Sequence, residues 1–122
     1  MTRRIINLSE NNSLSEILRI TALTLTKLNH QVTYELYDND LEFIKRAGDE
    51  NINLILVDLE YGKTDVLDVI KKIRKSPDSS HKKITGYYTL KSEQKNPAFE
   101  AGCDSVMSAE ELKLISNNLF SF

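Results

Sequence analysis

The strongest constraint on the fold is the run Ile52-Asn53-Leu54-Ile55-Leu56-Val57, which follows a charged loop and ends at Asp58. A short run rich in branched apolar residues reads as a strand buried on both faces, and such strands belong to parallel sheets. Open α/β sheets place their chemistry outside the carboxyl ends of the strands. An acid that closes this run therefore marks a candidate site.

The rest of the chain supplies what a parallel sheet needs. Arg4-Ile5-Ile6-Asn7-Leu8 reads as a first strand and Ser9 to Ser13 as a polar loop. Ser13-Leu14-Ser15-Glu16 has the form of a capping box, so a helix is expected to start there, with Leu14, Ile17, Leu18, Thr21, Leu25 and Leu28 on one face and Asn29-His30 at its end. Val32 to Leu36 is a second strand. Asp38 or Asn39 can cap a short helix carrying Leu41, Ile44 and Ala47, with Gly48 at its end. After the strand ending at Asp58, Asp65 caps a helix with the face Val66, Val69, Ile70 and Ile73, and Ser76 to Ser80 is a turn-rich break. Ile84 to Tyr88 is a fourth strand weakened by Gly86. Asn96 to Ala101 is a short helix stopped by Gly102, and Cys103 to Met107 is a fifth strand. A second capping box, Ser108 to Glu111, opens a last helix carrying Leu112, Ile115 and Leu119.

Strands alternating with helices in this way imply an α/β fold whose parallel sheet is covered on both faces. Right-handed crossovers leave few topologies. The chain has 122 residues, enough for one core, and is read as one domain over 1–122. An initiating Met1 and a helix ending near Phe122 are what a complete small protein would show. A charged content of 28% and a net charge of −2 argue against a nucleic-acid grip built on phosphate contacts. No apolar stretch is long enough to span a membrane, and the segment behind Arg3-Arg4 is too short for a signal peptide. Cys103 is the only cysteine, which fits a reducing, cytoplasmic setting and rules out an internal disulfide. It is expected to serve in packing, and His30 and His81 to be solvated.

Asn53 to Asp58, followed by Asp65-Val66-Leu67-Asp68-Val69-Ile70-Lys71-Lys72-Ile73-Arg74, resembles response-regulator receiver domains, as does the turn Phe99-Glu100-Ala101-Gly102-Cys103-Asp104. The resemblance covers nearly the whole chain. It implies a flavodoxin-like (βα)5 three-layer sandwich with sheet order 2-1-3-4-5. It also implies that Asp58 is the phosphoacceptor or its equivalent. Receivers hold Mg²⁺ with an acidic pair after the first strand. This chain has Ser9-Glu10-Asn11 there, so Glu10 alone could supply a carboxylate and only a weak Mg²⁺ site is expected. The lysine that receivers place after the fifth strand is absent, its position being Ala109, with Glu110 beside it. The switch hydroxyl falls on Thr89 if the following loop is shortened, and on Tyr87 by an ungapped count. Tyr61-Gly62-Lys63 replaces the usual proline-glycine turn.

These departures point to a divergent receiver-like domain that signals or adapts through protein contacts in trans, with phosphorylation weak or absent, no resident cofactor and no enzymatic turnover. The expected state is a monomer or weak homodimer. Tyr88, Phe120 and Phe122 are candidate anchors on the face that receivers use for partners. One alternative is a working single-domain regulator phosphorylated at Asp58 by a histidine kinase. Another is a small-ligand protein with a flavin or phosphate near the loop Ser9 to Ser13. Hydrolase elbows, P-loops and Cys/His metal clusters are lacking.

Overall fold

The computed structural model describes residues 2–28 and 30–121. Its strands are β1 (Thr2–Leu8), β2 (Gln31–Tyr37), β3 (Leu54–Asp58), β4 (Lys83–Tyr88) and β5 (Ser105–Ser108). They alternate with α1 (Asn12–Lys27), α2 (Asp40–Ala47), α3 (Val66–Lys75), α4 (Lys95–Ala101) and α5 (Ala109–Phe120), and a 3₁₀ turn at Ser92–Gln94 leads into α4. The strands form one parallel sheet of order β2-β1-β3-β4-β5. This is the flavodoxin-like order expected from the sequence.

Strand alternation sends the central strands' side chains to two cores. Ile6, Ile55, Val57 and Ile84 join Phe43 of α2, Val69, Ile70 and Ile73 of α3, and Ala98 of α4 on one face. Ile5, Leu54, Leu56 and Tyr87 join Leu14 and Leu18 of α1 and Leu112 and Phe120 of α5 on the other. All of β3 is buried, because it lies between β1 and β4 and under helices on both sides. The register sets Asp58 opposite Tyr87.

α3 forms as read, with the Asp65 carboxylate accepting from the N–H groups of Leu67 and Asp68. Other elements shift. α1 is capped by Asn11, whose side chain accepts from Leu14 N–H, so Ser13 lies inside the helix and its capping box does not form. Asparagine caps at least as well as serine, and it sits two residues earlier. Ile17 and Leu28 are exposed, and Ala22 takes their expected place in the core. α2 is capped by Asn39 rather than Asp38, and it buries Phe43 while Leu41 faces solvent. α5 starts as read, Ser108 accepting from Glu111 N–H at 3.1 Å, but it buries Leu112, Ser116 and Phe120 rather than the Ile115 face. Among the described residues, no helix is long and apolar enough to cross a membrane.

Gly86 has a packing reason to interrupt β4. A Cβ there would stand 3.1 Å from Leu59 Cδ2 and 3.2 Å from Cys103 Sγ, so these two side chains use the space that glycine leaves.

Candidate functional site

Asp58 closes β3 on the α1/α5 side of the sheet, two residues beyond Leu56 in the pleat. Asp58 as a whole is only 5% exposed. Oδ2 accepts from the Ser9 hydroxyl at 2.7 Å, and Oδ1 accepts from Glu60 N–H at 2.9 Å. The Ser9 oxygen in turn accepts from Asn11 N–H at 2.9 Å, which fixes the hydroxyl's direction toward Asp58. Burial pushes the Asp58 carboxyl above its ordinary range, against the downward pull of the Ser9 and Glu60 donors, and the charges of Glu60 and Glu10 push it further up.

Glu10 stands on the same rim but is turned to the next loop, where its Oε1 accepts from Gly62 N–H at 3.0 Å. This bears on a divalent cation. The acidic pair expected after β1 is here a serine that donates to Asp58 and a glutamate engaged with a backbone amide. Among the described residues no group of three or more His, Cys, Asp or Glu is arranged to hold a metal ion. Mg²⁺ can be held by one or two carboxylates with water filling its other positions; Asp58 and Glu10 are the carboxylates of this rim, and each already accepts from a protein donor.

The strand register places the two hydroxyl candidates differently. Tyr87 is paired with Asp58, whereas Thr89 lies beyond the end of β4 and is exposed. Tyr87 is fully buried, and its hydroxyl donates to Asn7 Oδ1 at 2.9 Å. Asn7 Nδ2 donates to the Tyr34 oxygen at 2.9 Å, which lies 2.8 Å from the Ser15 oxygen. Burial, and then the nearby charge of Asp58, push the Tyr87 phenol well above its usual range. It is a neutral packing and hydrogen-bonding group. Ala109, where the resemblance would place a lysine, is buried in the same cluster as Tyr87.

Two side-chain arrangements escaped the sequence reading. Glu60 is the first. Its Oε2 accepts from three successive backbone N–H groups, those of Thr89 and Leu90 at 2.7 Å and Lys91 at 2.9 Å. Burial alone would raise its pKa, but the amides of Lys91, Leu90 and Thr89 outweigh that and hold the carboxyl below its ordinary range. The second is Arg74. Its guanidinium donates to Gly102 O at 2.7 Å, Ser80 O at 2.9 Å, Lys82 O at 2.6 Å and Asp104 Oδ2 at 2.7 Å. The two family-like stretches, the basic end of α3 and the Gly-Cys-Asp turn, are thus one cluster in space.

The aromatic anchors fare differently. Phe120 is fully buried, its ring centroid 6.4 Å from that of Tyr34, so it is a core residue and not a surface anchor. The correction follows from α5 turning the Leu112-Ser116-Phe120 row to the sheet. Tyr88 is half-buried against the α2/α3 core, and Phe122 lies outside the described residues. Cys103 is buried and its thiol is pushed up to about 11, chiefly by burial, as befits a packing residue.

This fold is the one seen in receiver domains. The structure superposes on the phosphorylated cyanobacterial phytochrome response regulator RcpA with a TM-score of 0.77 at 15% identity, over 98% of this chain and 91% of that one. It matches the signal receiver domain of a DNA-binding response regulator from Colwellia psychrerythraea with a TM-score of 0.78 at 10% identity, over 96% and 94%. The receiver domain of a sensor histidine kinase from Pseudomonas aeruginosa, with a magnesium ion in its active-site cleft, gives 0.75 at 14% identity over 97% of both chains. No protein-family model matches the sequence. No curated protein matches it either.

Proposed function

We propose that the chain is a receiver-fold signalling or adaptor module that acts through protein contacts, with Asp58 phosphorylated weakly or not at all. The observation that carries this reading is the Ser9 to Asp58 hydrogen bond. A hydroxyl donor stands where a second acid would help hold a cation, and it spends its proton on the carboxylate that would otherwise be the nucleophile. The turn of Glu10 toward Gly62 and the burial of Tyr87 opposite Asp58 support the same reading. Phosphoryl transfer depends on positioning and charge neutralisation by metal and cationic groups, and these residues supply little of either. The partners are signalling proteins, a histidine kinase among the candidates.

The test is intact mass under acidic conditions after incubation with Mg²⁺ and a small phosphodonor, with Asp58→Asn as control. No mass gain is expected under conditions that label a working receiver. A gain of one phosphoryl group that EDTA and Asp58→Asn both abolish would establish the alternative, a working regulator phosphorylated at Asp58.

A further inference from the structure

Glu60 is joined to both sides of the rim. Its backbone N–H donates to Asp58 Oδ1, while its side chain reaches the loop after β4. Three consecutive amides converging on one oxygen form a concave donor set of the kind that binds anions. Here the anion belongs to the protein. The ammonium of Lys91 adds to the attraction. The loop so held presents Leu90, which is 86% exposed.

We propose that Glu60 is a built-in anion that sets the conformation of the loop Thr89–Lys91, so that the loop is held by an ionised side chain of the chain itself and needs no modification of Asp58. Without the carboxylate the three N–H groups have no common acceptor, and their directions would no longer be fixed relative to one another. Glu60 is therefore a positioning residue, acting through the loop and not on any reacting atom. The inference goes beyond the function proposed above and does not rest on it, because it concerns the loop whether or not Asp58 can be modified.

The experiment is residue-resolved amide exchange with solvent, measured by NMR on the full chain, for Thr89, Leu90 and Lys91. The amides of Ile55 and Leu56 in β3 report that the fold is intact. In Glu60→Ala the three loop amides are expected to exchange about tenfold faster or more, as the loss of a shared charged acceptor implies, while the β3 amides do not change. Their proton shifts should move upfield together, and added acetate should reverse both effects, which a merely structural loss of packing would not allow. Glu60→Gln, which keeps the shape and one acceptor oxygen but loses the charge, should give a smaller change in the same direction, and it serves as the test if Glu60→Ala does not fold. Loop exchange and shifts equal to those of the parent in a folded variant would overturn the proposal, as would a rise in exchange that acetate leaves untouched.

Discussion

The Tyr87 hydroxyl reaches from β4 across β3 to donate to Asn7 Oδ1 on β1, at 2.9 Å and fully out of solvent. One side chain thereby couples three neighbouring strands beneath Asp58, and the polar atoms it meets have few other partners. Removing only the hydroxyl, in Tyr87→Phe, leaves a buried amide oxygen without its donor. The expected loss is about 1–3 kcal/mol, read as a lowered urea midpoint at unchanged slope.

Asp58→Asn should stabilise the protein at neutral pH by about 1–2 kcal/mol, the scale of relieving a buried polar group's desolvation. The sign follows from burial holding the carboxyl above its ordinary range. A carboxyl raised in the folded state favours folding fully only below its unfolded pKa, and that contribution is lost as pH rises through the folded value. The advantage of the asparagine variant should therefore grow from acid toward neutral pH and then level off. Urea titrations of both proteins at several pH values check this, and a gap independent of pH would contradict it.

Arg74→Lys should cost about 1–3 kcal/mol, because a single ammonium cannot reproduce a planar fork that donates to three carbonyls and a carboxylate. Gly102→Ala acts on the same cluster. Gly102 has φ +133°, and a Cβ there would lie 2.5 Å from Arg74 Cγ, so a loss of about 2–3 kcal/mol is expected from strain and displacement together. The double variant should lose less than the sum of the two. Thermal unfolding of the set measures all three.

Ala109→Lys, which introduces the residue type the family resemblance would lead one to expect, should destabilise the chain by about 1–3 kcal/mol. It sets an ammonium in a buried cluster and at the first turn of a helix, where positive charge is unfavourable. Tyr87→Thr alone should cost about 3 kcal/mol or more through the cavity it opens. Because both residues belong to one cluster, the double variant should be more stable than additivity predicts. A double-mutant cycle in urea decides it, and strict additivity would contradict the account.

The parts of this molecule that were legible in the sequence are those whose causes are local. α3 is announced by a cap and an apolar face within a few residues, Asp65 and Val66, Val69, Ile70, Ile73. Asp58 is announced by the run it ends. Where two local readings compete, only tertiary structure chooses. Asn11 and Ser13 can both cap a helix, and the one whose amide meets Ser9 does so. Tyr87 and Thr89 differ by two residues, and only the fold shows that Tyr87 is paired with Asp58 while Thr89 lies beyond β4. Phe120 was hidden because Ser116 breaks the apolar row that buries it. Glu60 had no signal at all, since its acceptor role depends on amides 29 to 31 residues away.

The ring of Tyr87 limits what the corner beside Asp58 can hold. It fills, with a neutral phenol tied to Asn7, the ground beside Asp58 into which a small hydroxyl residue and a lysine would have to fit. Tyr87→Thr or Ala109→Lys alone is expected to lose packing before it supplies a usable hydroxyl or ammonium beside Asp58. The corner is held by volume as well as by hydrogen bonds, so it opens only when two residues change together.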